Sequence, residues 1–527
     1  MADDREREWR RRFAERPAVY LDRTSAAPGD AVRVHASAGT AARLVVARVG
    51  AAREPVLDLS LGQVARQDLN PKADQEGCDW RAVTAFTVGR DWRPGYYDVV
   101  LAADGQAPTH TFLCVRRAPH TRPAPLLLVL ATNTLQSYNW WGGANAYADV
   151  TALMAAADLP TAMAGAIGRL SHRRPYVQTL IAPATPTPRM VNLRRRGRGE
   201  RSWSDGITSD LTGEMSPYDN SAGYLRRWEH LFVAWCEKNG YALDFATDLD
   251  LDREPGLLEP YRAVTVVGHS EYWSGRQRAA VEDFVDAGGR FAVFSGNTCY
   301  WKVRQEDDYR TLVNHKWRGE TADPLFQVKG REAEATHLWS HPAFANPEAR
   351  LTGLSFLFGG YHRVGLCVSR GAGGYTLYRD DHWSLAGTDL RYGDLFGDLG
   401  VSVGYECDGC RFVLGEDGLP RPVPVVGVPE DLEILALAPC TLAEQPHPDF
   451  PAIIAPESLE QLARITSGAA GPNEIGRLLR GHAVMASFRR GRGQVFNGGS
   501  TEWAHGLAQG DPFIDRITRN VLDRFTA

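Results

Sequence analysis

Residues 266–301 read VVGHSEYWSGRQRAAVEDFVDAGGRFAVFSGNTCYW. An apolar run of strand length ends at Gly-His-Ser, a segment of helical period follows, and a second apolar run ends at Ser-Gly-Asn. The pattern predicts strand, turn, helix, strand, turn. Strands that alternate with helices build a mostly parallel sheet through right-handed crossovers. Such a sheet binds its ligands outside the carboxyl ends of its strands. Each turn here closes on a tyrosine followed by a tryptophan, Tyr272-Trp273 and Tyr300-Trp301, so both pairs are expected on one rim.

The same texture starts at Pro125. PLLLVLAT (125–132) is a continuous apolar run, as for a strand buried on both faces. AGYLRRWEHLFVAWCEKNGY (222–241) reads as a charged helix and ALDFATD (242–248) as a short strand. The loops ATNTLQSYNWWGG, GHSEYW and SGNTCYW then leave the sheet at the same end. Near the C-terminus, GHAVMASFRRGRGQVFNGGSTEW (481–503) reads as a hairpin running into a polar loop, and DPFIDRITRNVLDRFTA (511–527) as a closing helix. A core of α/β class is therefore expected over 125–527, with a β-rich insertion around 330–450.

Residues 17–117 have a different texture. PAVYLDRTSAAPGDAVRVHASAG alternates apolar and polar residues around turn formers, and AARLVVARVG and RPGYYDVVLAADGQAPTHTFLCVRRA continue as short strands. The spacing predicts an N-terminal antiparallel β-sandwich of immunoglobulin-like or jelly-roll-like kind over 17–117. A charged helix over 1–16 precedes it, and the proline-rich HTRPAP (120–125) links it to the core.

With 527 residues the chain is too long for one ordinary core. Its 43% hydrophobic and 23% charged residues are those of a globular protein, and a net charge of -5 argues against a general nucleic-acid binder. No apolar run reaches the roughly 18 residues of a membrane span. The N-terminus lacks the apolar stretch of a secretory signal, so a cytoplasmic location is expected. Of the eight cysteines, Cys114, Cys236, Cys367 and Cys440 sit among apolar neighbours. Cys407 and Cys410 form a lone C-x-x-C around Asp408-Gly409; without a second pair, two thiols flanking a turn is the favoured reading over a zinc or redox site. The arginine-rich RRRGRGERSWSDG (194–206) reads as a solvated loop.

Several rim loops place an ionisable residue beside an aromatic. YRDDHWSLAGTD offers Asp380, Asp381 and His382, SVGYECDG offers Glu406, and NGGSTEWAHG offers Glu502 and His505. Each alone is more often a structural hydrogen-bonding group; their number on Gly-flanked loops is what marks the set. A phenolate is a hard donor suited to a ferric ion, and two facing phenolates need a cation to stay deprotonated. Ser270 in GHSEY sits in an incomplete G-x-S-x-G elbow, because Tyr272 replaces the final glycine. Cys299, near His269, is the alternative nucleophile. No P-loop or dinucleotide fingerprint is present.

Taken together and in order, TNTLQSYNWWGG, WEHLFVAWCEKNGYALDFATDLDL, GHSEYWS, GGRFAVFSGNTCYWKVR, DHWSLAGTDL, GYECDG and NGGSTEW resemble the large subunit of N,N-dimethylformamidase over about 125–527. The resemblance implies a core similar to the class I glutamine amidotransferase fold and a mononuclear ferric ion (Fe3+) held by two tyrosinates and a glutamate. Those tyrosinates would fall on Tyr272 and Tyr300. Near DDHWS, where the third ligand is expected by spacing, stand Asp381, His382 and Ser384 but no glutamate, so either the ligand set has changed, with His382 or Asp381 in its place, or the metal is gone. Glu502, or else Glu406, would be the general base, with His269 and His382 orienting carbonyl or water. Asn133 and Asn297 would bind the oxyanion, and Trp140, Trp141, Trp273 and Trp301 would wall a pocket for a small or aromatic amide. The implied activity is metal-dependent hydrolysis of an amide C–N bond in a homo-oligomer, with a separate small subunit. The alternatives are a different reaction on the same fold, such as a lyase or cyclisation step or Cys299 chemistry, and a non-catalytic binding or assembly subunit.

Overall fold

The computed structural model describes residues 2–155, 161, 164–183, 223–225, 227–362, 371–425, 427–442 and 456–527. The arginine-rich loop at 194–206 and Cys367 lie outside the described residues.

Residues 18–115 fold into two sheets that share one core. Ala18–Leu21, Ala31–Ser37 and Ala82–Thr87 form a three-stranded antiparallel sheet. Ser25–Ala26, Thr109–Val115, Gly95–Ala103, Thr40–Val49 and Arg53–Val64 form, in that order, a five-stranded sheet whose first pair is parallel. Along AVRVHAS the odd positions look outward, so Val32, Val34 and Ala36 meet Leu44, Val46, Val99 and Leu101 of the other sheet. Burying each such valine or leucine stabilises by about 1.5–3 kcal/mol.

The N-terminal helix covers Ala2–Trp9 and widens to a π-helical stretch, Arg10–Ala14. The wider turn delivers Phe13 edge-on to Trp140 and Trp141, at 5.8 and 5.2 Å, and Arg12 over Trp140.

Beyond the linker lies a nine-stranded sheet, with strands Leu126–Leu130 (β1), Leu243–Thr247 (β2), Ala263–His269 (β3), Arg290–Gly296 (β4), Tyr375–Leu377 (β5), Leu395–Phe396 (β6), Glu433–Cys440 (β7), Gly481–Arg490 (β8) and Gly493–Asn497 (β9). Its order is β2-β1-β3-β4-β9-β8-β7-β5-β6. The first five are parallel neighbours, and the rest are antiparallel. Part of the stretch expected as an insertion therefore extends the main sheet. A separate two-stranded ladder, Ser355–Tyr361 with Glu406–Gly409, crosses above its carboxyl end. Register aligns His269 with Gly296, so the loops after β3 and β4 leave side by side.

The helix Gly275–Asp286 starts with a capping box, Ser274 and Gln277 bonding each other's backbone N–H groups. The helix expected over 222–241 spans Glu229–Lys238. Tyr224, upstream of it, is instead used for docking: its ring stacks on Tyr96 at 4.1 Å and its hydroxyl donates to the Val49 carbonyl of the sandwich. Among the described residues no helix is long and apolar enough to cross a membrane.

Candidate active site

The rim is built by three loops that clasp one another. β3 turns at Gly268, whose φ of +77° suits glycine and whose missing Cβ makes room for Trp228; an added Cβ would stand 2.3 Å from it. The chain then passes through His269, Ser270 and Glu271 into the short strand Tyr272–Ser274, which pairs with Trp301–Glu306. The helix Thr132–Tyr138 follows β1, and its Thr134 hydroxyl accepts the Glu271 N–H at 3.0 Å. Asn145 fixes the next loop by donating to the Tyr138 carbonyl at 3.0 Å and accepting the Tyr147 N–H at 2.9 Å.

Three phenols and three ionisable side chains converge there, all buried except half-buried Tyr147. Tyr147 and Tyr272 oxygens are 2.5 Å apart, Tyr147 donates to Tyr138 at 2.8 Å, and Tyr138 donates to Glu271 Oε2 at 3.1 Å. With one proton per phenol, this is a directed chain from Tyr272 through Tyr147 and Tyr138 to Glu271. His269 Nε2 lies 3.3 Å from Glu271 Oε2 and 2.7 Å from Glu406 Oε2, joining the two carboxylates. Tyr361 donates to Glu406 Oε1 at 3.4 Å.

Burial sets the electrostatics. It pushes the Tyr138, Tyr147 and Tyr272 phenols well up, with the charge of Glu271 adding to it. Glu271 is itself raised by burial, with His269 opposing and Glu406 reinforcing the shift. Lys316 is fully surrounded; its ammonium lies 3.0 Å from the centre of the Tyr147 ring and 4.8 Å from that of Trp301. Burial holds it down to about 7, against the attraction of Glu271 and Glu406. Glu229 is pushed up to about 7 by burial, with His269 opposing.

Of the expected residues, His269, Glu406 and Tyr272 belong to this cluster. Tyr300 lies alongside: burial raises its phenol first, then the charges of Glu348, Glu271 and Glu406. The phenol at hydrogen-bond distance from Tyr272 is, however, Tyr147. Asn297 sits on the rim at φ +51° with its buried Oδ1 lacking a hydrogen-bond partner. Asn133 is spent elsewhere, its amide bonded to Gln277 and Gln305 and its N–H to Asp248. Glu502 is bound by the Trp228 indole at 3.3 Å and by His505 at 3.0 Å, one layer behind His269.

His382 and Asp381 are not brought to the tyrosines. His382 bonds Ser384 at 2.8 Å and faces Glu433 at the start of β7, while Asp381 is exposed. Their loop is tied to the C-terminal helix Pro512–Thr526 by Asn520 and by Arg524 over Trp383. Spacing along the chain suggested this loop, but β5 and β6 carry it to the far side of the sheet, and Glu271 and Glu406 supply the carboxylates. Cys299 is fully buried in an apolar cluster with Trp273 and Val281, and burial pushes its thiol up, the wrong direction for a nucleophile. Ser270 is bonded to the Trp273 indole. Trp140 and Trp141 pack on Phe13 rather than on the cluster. Cys407 and Cys410 do not flank a turn: Cys407 lies on a strand, and the two thiols enter different core clusters.

Glu271, Tyr138, Tyr147 and Lys316 were missed from the sequence, although Glu271 stands inside GHSEYW and Tyr138 inside SYNWW. Among the described residues no group of three or more His, Cys, Asp and Glu side chains is placed to hold a metal ion. Any such ion would need the phenols.

Residues 30–516 match the family model described as N,N-dimethylformamidase beta subunit-like, C-terminal. The N,N-dimethylformamidase beta subunit of Alcaligenes sp is 24% identical over 475 residues, covering 85% of this chain and 55% of that protein. That of Paracoccus aminophilus is 26% identical over 328 residues, covering 58% of this chain and 38% of that protein. The chain thus spans about half the length, or less, of these relatives. Among solved structures, Spo0M of Bacillus subtilis matches at 12% identity with a TM-score of 0.13, over 19% of this chain and 48% of that one. A cycloisomaltooligosaccharide glucanotransferase of Paenibacillus sp. matches at 11% identity with a TM-score of 0.14, over 52% and 44%. Scores this low say nothing about the fold; the match to the family model covers most of the sequence, and the chain belongs to the N,N-dimethylformamidase beta subunit-like family.

Proposed function

We propose that this chain hydrolyses the C–N bond of a small or aromatic amide at the Tyr272–Glu271–His269–Glu406 cluster, with a ferric ion held by Glu271 and phenolates drawn from Tyr272, Tyr147 and Tyr138. The observation that carries the reading is the buried chain of three phenols ending on a carboxylate. Its oxygens crowd together at hydrogen-bond distance. All are hard oxygen donors, a set that fits a small trivalent cation. The ion would supply Lewis-acid chemistry, polarising the amide carbonyl and lowering the pKa of water.

The protein's own groups do the rest. Glu406 takes a proton from the attacking water and returns it to the departing amine nitrogen as the C–N bond breaks. His269, between Glu406 and Glu271, holds both carboxylates in place. Asn297 hydrogen-bonds the developing oxyanion from the neighbouring loop. The curated relatives are named beta subunits, and we infer that this chain also works with a separate subunit.

Metal analysis with a visible spectrum tests the reading. About one iron per chain and a tyrosinate charge-transfer band are expected, both lost in Tyr147→Phe and Tyr272→Phe, together with hydrolysis of members of an amide panel. A colourless, metal-free protein after iron loading overturns it.

A further inference from the structure

Lys316 opens the short 3-10 turn Lys316–Arg318 that follows the strand Thr311–Val313. The residues before it are fixed. Asn314 donates to the Ser137 hydroxyl of the rim helix at 3.2 Å, and its N–H to the Gly168 carbonyl at 2.8 Å. The His315 N–H goes to the Thr336 hydroxyl at 3.2 Å. Lys316 itself takes φ +51°, in the left-handed region that a side chain of this size rarely adopts. Such strain persists only where the surrounding structure enforces it, and it gathers at functional positions. Here it turns the side chain inward: Lys316 is 7% exposed. Its ammonium lies 3.0, 4.8 and 5.9 Å from the ring centres of Tyr147, Trp301 and Tyr272.

An ammonium carries three N–H donors, and ring faces offset only part of the cost of burying it. Among the described residues no oxygen accepts a hydrogen bond from Lys316 and none pairs with it; Glu271 and Glu406 act on it through their charge alone. Lys302 shows what a packing lysine does instead. Equally buried and set over Trp339 and Phe344, it donates to the Ala333 carbonyl. Lys316 has the rings without the carbonyl. Its donors therefore wait for an acceptor that the described chain does not supply.

We propose that Lys316 is a specificity-determining residue that binds a carboxylate of the substrate, so that the amide cleaved here carries a carboxylate on a short chain. Charge selects that group. One ammonium balances one negative charge, whereas Glu271 and Glu406 would repel a doubly charged phosphate. A carboxylate beside the ammonium also keeps it charged. Tyr147, which carries the ammonium on its ring, is the half-buried member of the cluster, so the substituent enters at that end. Glu406 lies beyond ion-pair distance from Lys316, which therefore holds a substituent rather than the reacting carbonyl. The choice of an amide rests on the amidohydrolase reading; the anion site does not.

The full chain is assayed with matched pairs in which a carboxylate replaces an isopropyl group: N-formylglycine with N-isobutylformamide, and succinamate with 4-methylpentanamide. In at least one pair kcat/KM should favour the carboxylate by about 10- to 100-fold, the scale of a hydrogen bond between charged groups. That preference should vanish in Lys316→Met and Lys316→Gln. Calorimetric titration gives a reading free of turnover. 3-Methylsulfonylpropanoate has no amide to hydrolyse; it should bind the unaltered protein and bind the variants about 10- to 100-fold more weakly. Its uncharged counterpart, 3-methylbutyl methyl sulfone, should bind all three alike. Turnover of the uncharged member of both pairs as fast as the charged one overturns the proposal, as does a preference that survives in both variants. Equal losses on charged and uncharged amides in the variants, with iron retained, place Lys316 in the reaction rather than in recognition and overturn it too. Absence of any amide hydrolysis, with the sulfonyl carboxylate still held through Lys316, sinks the amidohydrolase reading and leaves the anion site standing.

Discussion

Lys316 is costly to keep, and the cost can be measured. Its ammonium is caged by Tyr147 and Trp301, and burial moves its titration from an ordinary 10.5 to about 7. The folded state therefore binds fewer protons than the unfolded state between these values, so stability rises with pH across that window. Near pH 7 the unfolded chain gains the proton almost fully and the folded chain only by half, a penalty of roughly 4 kcal/mol. Near pH 9.5 the unfolded lysine is still charged and the penalty falls to about 1 kcal/mol. Lys316→Met, of similar length and without charge, should stabilise the chelator-treated protein near neutral pH, and the gain should shrink by roughly 3 kcal/mol at the higher pH. Urea unfolding followed by tryptophan fluorescence, at both pH values for both proteins, gives this double difference directly. Equal pH dependence in the two proteins would refute the claim that Lys316 is held neutral-prone by its cage. A variant destabilised near pH 7 would show instead that its ring contacts outweigh its desolvation.

Two further outcomes separate the site from its surroundings. His382→Ala should leave iron content and the visible spectrum unchanged, because its partners are Ser384 and Glu433; only stability should fall, by about 1 kcal/mol for the lost hydrogen bond. Gly296→Ala forces a Cβ to 2.2 Å from the Glu406 carbonyl and 2.7 Å from the Thr501 nitrogen, both backbone atoms that cannot swing away. Thermal unfolding should show a loss of about 1–3 kcal/mol, the usual cost of overpacking, and the displaced Glu406 should remove activity in whatever protein still folds.

The rim was legible because the parallel strands carry their own signal. Residues 263–267 are apolar but for Thr265 and residues 291–294 are apolar throughout, and a pair of such runs with a helix between has few other solutions, so the side-by-side exit of GHSEYW and SGNTCYW could be read without coordinates. Partners across the rim left no such trace. Tyr147 lies 125 residues before Tyr272, in a loop with no periodicity, and reaches it because Asn145 ties that loop to the end of the first rim helix. In GHSEYW the aromatic pair is the conspicuous feature, yet the carboxylate beside it, Glu271, is where the phenol chain ends and where His269 joins it to Glu406.

The DDHWS loop falls away from the rim for a related reason. Counting along the chain from Tyr300 leads to DDHWS, but the strands Tyr375–Leu377 and Leu395–Phe396 belong to the distal antiparallel edge of the main sheet, and that loop travels with them. Glu406 reaches the rim by another route, on a ladder that crosses the carboxyl end and presses its backbone against Gly296 and Thr501. Backbone contact this close needs a glycine on one side and leaves the opposing side chain little freedom. The carboxylate next to His269 is thus positioned by main-chain packing, and a search of the sequence for a ligand-bearing motif had no side-chain pattern to find.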